Sequence, residues 1–224
     1  MKTSDINAKT GIPIKELNHL NRDFWYHGTS LEGAESIKKL GVLADFNHGN
    51  SLDFGAGFYL TETKKLADSY MSRVPVIGAD GELTKRTEWA VIEFKFNPYT
   101  LLFGSPSETS KDELTVFNGL SYTYKNFAKH NEEFAKFVFD NRRNSLESPN
   151  SRNVHCIDII WGVMSDSIPD QVMIDFSNNE LTYEQAIEKL MKSNSMKQLY
   201  IGSQAICEML EFSNIFIFRG SQEA

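Results

Sequence analysis

The sequence predicts an α+β fold, and three observations lead there. Short β-prone runs alternate with short amphipathic helical patterns, without the long, regular βαβ spacing that a parallel sheet requires. The 224 residues are 41% apolar and 12% aromatic with 16 phenylalanines, enough for a large aromatic core. No internal repeat or low-complexity tract divides the chain, so one domain is expected over residues 21–224, preceded by a polar, aperiodic arm at 1–20 that is either loose or a short packing segment.

The elements follow in order. "FWYH" at 24–27 is a short strand by its aromatic content. Thr29 and Glu32 fit a capping box, Leu31, Ala34, Ile37 and Leu40 form one helical face, and Gly41 supplies the stop. "GNSLDFGAGFYLT" at 49–61 places three glycines before a short apolar strand, where backbone bends sharply or meets a ligand closely. "TETKKLADSYM" is a helix with Leu66, Ala67, Tyr70 and Met71 on one side, and "VIGADGEL" is a turn-rich loop. "EWAVIEFKFNP" is a strand ended by Pro98. Residues 111–128 show no dominant period. "KHNEEFAKFVFDNRR" spaces Phe134, Phe137 and Val138 as a helix does, and "VHCIDIIWGVM" is a buried strand. "TYEQAIEKLMK" is a helix opened by a second capping box, Thr182 with Gln185. "KQLYI" is a strand, Ser203 caps a helix in "SQAICEMLEF", and "NIFIFRG" is the last strand.

Composition excludes several classes. A net charge of −7 disfavours non-specific wrapping of a nucleic-acid backbone, which needs a basic surface. The local basic stretch "RRNSLESPNSR" at 142–152 is either a solvated loop or a phosphate contact. No apolar run reaches membrane-span length and the opening residues lack a secretory apolar segment, so a cytoplasmic location away from membranes is expected. Cys156 and Cys207 lack metal or disulfide spacing and read as small core residues.

No phosphate loop, dinucleotide fingerprint, His-Glu-x-x-His or Gly-x-Ser-x-Gly is present, and His19, His48, His130 and His155 are scattered. What remains is "YHGTS" and "DFGAGFYLT", about thirty residues apart, each ending a strand that feeds a helix. Alone, His27 reads equally as a strand-end histidine bonded to backbone or as a functional group. Asp53 and Ser51 either cap the glycine turn or touch a ligand. Arg142 and Arg143 either meet a phosphate or cap a helix, and Asp158 and Asp166 fit loop roles.

Together with "FAKFVFDNRR", "IDIIWGVMSDS", "YEQAIEKL" and "QLYIGSQAI", the two motifs resemble the diphtheria-toxin-like ADP-ribosyltransferases, a class that includes the poly(ADP-ribose) polymerases. Within it the chain is most similar to a bacterial family of short transferase-like domains, and the resemblance spans residues 24–212. It implies two small antiparallel sheets splayed about an NAD cleft and flanked by helices. It also implies cleavage of the bond between nicotinamide and ribose, with positive charge developing on the sugar and no metal required. Carried over residue by residue, His27 bonds a ribose hydroxyl and Gly28 pairs its backbone with the carboxamide, where a side chain would obstruct approach. Thr29 continues the NAD-binding stretch. Tyr59 and Tyr70 sandwich the nicotinamide.

Two positions depart from the class. Ala67 stands where a carboxamide-contacting serine is common. Gln198 stands where a late-strand glutamate contacts the ribose 2′-hydroxyl, so catalysis falls to His27, Tyr59 and Gln198, and transfer of a single ADP-ribose is expected rather than polymer growth. Glu208 or Glu211, on the following helix, is the alternative carboxylate. The implied partner is a macromolecular acceptor, protein or nucleic acid (RNA or DNA), selected by loops including "KSNSMK". Transferases of this type are often intracellular toxins, which implies a neutralising antitoxin protein. The rival readings are a non-catalytic NAD-binding or interaction module that has lost the glutamate, and an RNA 2′-phosphotransferase, for which the motifs lack the arginine and histidine set.

Overall fold

Pairing between runs far apart in the chain builds two main sheets, and the elements between them follow local signals. The structure, a computed structural model, describes residues 17–47, 52–77, 81–103, 122–147, 155–165, 168–191 and 196–220. Leu17 and Leu20, around a 3-10 turn at Asn18–Leu20, are fully buried, so the end of the polar arm is a packing segment.

Strand β1 (Phe24–Thr29) runs two residues beyond the expected "FWYH". Thr29 remains extended and paired with Ala90, so the cap of α1 (Leu31–Leu40) is Ser30 and not the predicted Thr29: Ser30 Oγ accepts from the Gly33 N–H at 3.0 Å. Gly41 ends α1 at φ 81°, a conformation glycine adopts without strain. Strand β2 (Phe58–Leu60) leads to α2 (Lys64–Met71), whose cap, Thr63, accepts from the Leu66 N–H at 3.2 Å. The predicted "VIGADGEL" loop carries short paired ends, β3 (Val76–Ile77) and β4 (Leu83–Thr84). Strand β5 (Glu88–Lys95) precedes Pro98, which opens the short helix α3 (Pro98–Phe103), since a first-turn proline gives up no helical hydrogen bond.

Strand β6 (Tyr124–Phe127) lies in the stretch that showed no period. Helix α4 (Glu132–Glu147) and strand β7 (Ile159–Val163) fall where expected. Helix α5 (Ile168–Ser177) was not anticipated. The Thr182–Gln185 box is formed on α6 (Tyr183–Leu190), with Thr182 Oγ1 accepting from the Gln185 N–H at 3.3 Å and Gln185 Oε1 from the Thr182 N–H at 2.8 Å. After β8 (Lys197–Ile201), the predicted ten-residue helix shrinks to α7 (Gln204–Cys207), without a side-chain cap from Ser203. Strand β9 (Glu211–Arg219) begins early because Glu211 and Phe212 pair with Lys95 and Phe94 of β5. Of the two cysteines, Cys207 is buried as expected but Cys156 is exposed.

The protein is therefore α+β. One sheet is antiparallel, in the order β1-β5-β9, and the other is mixed, β2-β8-β7-β6. The expected all-antiparallel second sheet is corrected by β6, which runs parallel to β7 with α4 as the crossover that a parallel pair needs. Trp25, Ile92 and Phe94 of the first sheet share a core with Ile159, Trp161, Leu199 and Ile201 of the second. The alternate residues Ile160 and Tyr200 enter another core with Phe134, Val138 and Phe139 of α4. Among the described residues, an isolated backbone bridge ties the sheets together, where Tyr26 N–H donates to Thr61 O (3.0 Å) and Thr61 N–H to Tyr26 O (2.7 Å). Beyond it β1 and β2 part. Among the described residues, no helix is long and apolar enough to cross a membrane.

Candidate functional site

The gap between β1 and β2 opens into a cleft of about 950 Å³, bordered by His27, Gly28, Thr29, Tyr59, Tyr70 and Gln198. Two strands of one sheet join, one strand of the other and α2 supply them, so residues up to 171 positions apart meet at one cavity.

His27 spans the gap. Its Nδ1 lies 2.8 Å from the Tyr59 carbonyl oxygen, which only accepts, so Nδ1 carries the proton and Nε2 remains an acceptor. Burial pushes the imidazole pKa down from 6.5 to about 4, partly offset by that same bond, so the ring is neutral at pH 7. Phe58 packs beside it with ring centroids 4.3 Å apart.

Tyr26 uses its backbone groups on the bridge, and the period of two along β1 turns those of Gly28 to the same edge, away from β5 and toward the cleft. A Cβ at 28 would meet Met71 Cγ at 2.4 Å and the Ala67 carbonyl at 3.0 Å. The structural demand for glycine thus comes from the close packing of α2, where the sequence reading had invoked ligand approach.

Tyr59 is locked at its hydroxyl, which donates to Gly55 O at 2.7 Å and accepts from the Phe54 N–H at 3.1 Å. Burial holds its phenol pKa well above the ordinary value, so the ring stays neutral. Tyr70 is 42% exposed, while its neighbours Ala67 and Met71 are buried, so this tyrosine stays out of the core that they enter.

Beneath the cleft lies a polar cluster of Asp53 (7% exposed), Arg142 (7%), Ser165 (0%) and Gln198 (5%). Asp53 accepts from Arg142 Nη2 at 2.8 Å and Nε at 3.2 Å, from Ser165 N–H at 2.8 Å and from Ser165 Oγ–H. Gln198 Nε2 donates to Asp53 Oδ2 at 3.3 Å. Because a carboxylate only accepts, the amide nitrogen must face Asp53, which leaves Gln198 Oε1 as the outward acceptor. Arg142 also donates from Nη1 to Asp170 at 2.6 Å, so it is an ion-pair partner within α4 and not a helix cap.

The sequence reading gave Asp53 as a turn cap or a ligand contact and Arg142 as a phosphate contact or a helix cap, did not consider Ser165, and had no signal joining positions 53, 142, 165 and 198. Arg73 and Arg86, also unnoticed, border the cleft. Of the other candidates, Arg143 lies 3.9 Å from both Asp140 and Glu147 on its own helix, and Asp158 accepts from the Thr123 N–H at 2.8 Å in a loop role. Glu208 ends α7, and Glu211, expected on that helix, opens β9; neither borders the cleft. Ser51, Arg152 and Asp166 lie outside the described residues, as does most of "KSNSMK". Among the described residues, no three His, Cys, Asp or Glu side chains gather as a metal group.

The family described as protein of unknown function (DUF3990) matches residues 25–212. The chain belongs to this family. Its span in DUF3990 takes in both motifs, every wall of the cleft named above and the buried cluster beneath it. No curated protein matches the chain.

Proposed function

We propose that the cleft binds NAD and that the protein is a mono-ADP-ribosyltransferase, with the two sheets arranged as in the ADP-ribosyltransferase fold. One observation carries the reading: a tautomer-fixed His27 acceptor, the outward backbone edge of Gly28, the Tyr59 ring and the Gln198 carbonyl converge on one cavity. The cavity volume, about 950 Å³, is at the upper end of ligand sites and suits a dinucleotide.

When the bond between nicotinamide and ribose breaks, positive charge develops on the sugar and neutral nicotinamide leaves. Gly28 pairs its backbone with the carboxamide, and the rings of Tyr59 and Tyr70 hold the nicotinamide between them. His27 Nε2 accepts from a ribose hydroxyl. Gln198 Oε1 accepts from the 2′-hydroxyl and turns its dipole toward the developing charge. Arg73 and Arg86 give the cleft positive charge suited to a diphosphate. A neutral amide at 198 lacks the strength to deprotonate a chain-extending hydroxyl, which favours a single transfer. The acceptor is a protein or a nucleic acid. By analogy, a cytoplasmic toxin held by an antitoxin protein is the biological setting.

The glutamine also favours a second reading, an NAD-binding module without turnover. Incubation with NAD labelled in the adenosine half, in cell lysate, followed by separate protease and nuclease digestion, decides between them. Transfer to one digestible class, lost in His27→Ala and Tyr59→Ala, is the expected result. NAD binding without nicotinamide release would establish the module, and absence of binding would remove both readings.

A further inference from the structure

We propose that Asp53 is a positioning residue that divides the work of the missing glutamate with Gln198: Asp53 carries the negative charge, and Gln198 presents the oxygen. This rests on the ADP-ribosyltransferase reading of the cleft.

The geometry leads to it directly. Asp53 comes from the glycine-rich segment before β2, yet its hydrogen bonds go to three distant segments, α4, the residue just past β7, and β8. Arg142 and Ser165 bind Oδ1 chiefly, and Oδ2 is turned to Ser165 N–H and the Gln198 amide. A carboxylate that accepts from an amide N–H in a water-poor site draws that N–H toward it, which enriches the amide oxygen at the opposite end. The charge therefore reaches the cleft through Gln198 Oε1, and the same bond forbids the flipped amide, which would aim two N–H donors at a developing cation.

A consequence separates this arrangement from a merely structural one. Glutamate at 198 would set two carboxylates within about hydrogen-bond distance, and two such groups hold one proton between them. The groups facing that pair are Arg142 from α4, Asp170 from α5, Tyr59 from β2 and Tyr70 from α2. Gln198→Glu in the otherwise unaltered protein should then act as a glutamine mimic at low pH, where it carries the proton and donates it to Asp53, and should lose turnover as pH rises. Asp53→Asn removes the charge and allows the amide to flip, so the maximal rate of nicotinamide release falls on the order of 10²-fold while KM for NAD changes little. In the double variant Asp53→Asn/Gln198→Glu, the asparagine donates to the glutamate, charge and oxygen reside on one side chain, and turnover recovers well above either single variant.

The experiment measures nicotinamide release from NAD, from pH 5 to 9, for the unaltered chain, both single variants and the double, with thermal unfolding of each. Because Asp53→Asn leaves Arg142 with Asp170 as its remaining charged partner, Asp53→Asn/Arg142→Met is included as a version without that buried cation. Recovery in the double variant together with a falling pH profile confined to Gln198→Glu is the expected outcome. Folded Asp53→Asn and Asp53→Asn/Arg142→Met variants with unaltered turnover, or a double variant no better than the singles, overturn the role of Asp53 alone. An unaltered chain that releases no nicotinamide removes the transferase reading and this inference with it.

Discussion

His27 owes its chemistry to one hydrogen bond and to burial. The Tyr59 carbonyl selects the tautomer, and the surroundings hold the pKa near 4, below the ordinary 6.5. The folded state resists the proton that the unfolded chain accepts, so the His27 contribution is complete above pH 6.5 and stability is lost as pH falls from there toward 4. His155, whose pKa burial also lowers, acts in the same direction. Urea midpoints measured between pH 7 and 4 should decline more steeply for the unaltered chain than for His27→Gln, and equal slopes would contradict the assignment. Protonation also converts the Nε2 acceptor to a donor, so on the proposed transferase reading nicotinamide release should stay level through pH 6.5 and fail only near 4. The histidine itself was legible from "YHGTS". Its tautomer was not, because the partner carbonyl belongs to a residue 32 positions away.

At the scale of elements, some local signals held as read and others gave way to pairing with distant strands. Thr182 and Gln185 form their box as read, and Gly41 stops α1. The Thr29 cap failed because sheet pairing kept Thr29 extended, and the last helix shortened because β5 recruited Glu211 and Phe212. Packing of α2 on β1 provides a direct test. Gly28→Ala places a methyl 2.4 Å from Met71 Cγ, an overpacking expected to cost about 1–3 kcal/mol. Adding Met71→Ala should return part of that loss in chemical denaturation, although the Ala67 carbonyl at 3.0 Å limits the recovery. A destabilisation that Met71→Ala leaves untouched would place the constraint elsewhere.

Across the molecule, Glu62 fixes how the sheets meet. Just past β2, its side chain accepts from Trp161 Nε1 of β7 at 3.1 Å and from Arg22 Nη2 at 3.3 Å, while its carbonyl accepts from Arg22 Nη1 at 2.8 Å. Arg22 leads into β1, so one glutamate links the first sheet to the second beside the Tyr26–Thr61 bridge. Glu62→Ala leaves Trp161 Nε1 and Arg22 without this partner, at a cost of about 1–3 kcal/mol. Since the angle between the sheets shapes the cleft, KM for the proposed substrate NAD should rise as well, although Glu62 does not border it. Glu62→Gln keeps an acceptor for Trp161 and should be milder. Unchanged stability and unchanged KM in the alanine variant would show that the bridge alone sets the geometry.

Most strand and helix types, the two motif segments and the cleft-bordering positions His27, Gly28, Thr29, Tyr59, Tyr70 and Gln198 were available from sequence alone, because each depends on neighbours within a few positions or on a recognisable residue pattern. Three features were not: the parallel placement of β6, the packing reason for Gly28 and the buried partnership of Asp53, Arg142, Ser165 and Gln198. These are hydrogen bonds and contacts between groups 35 to 145 positions apart, and short-range periodicity carries no information about them. Only the closed fold, by excluding water from those groups, makes each the other's necessary partner.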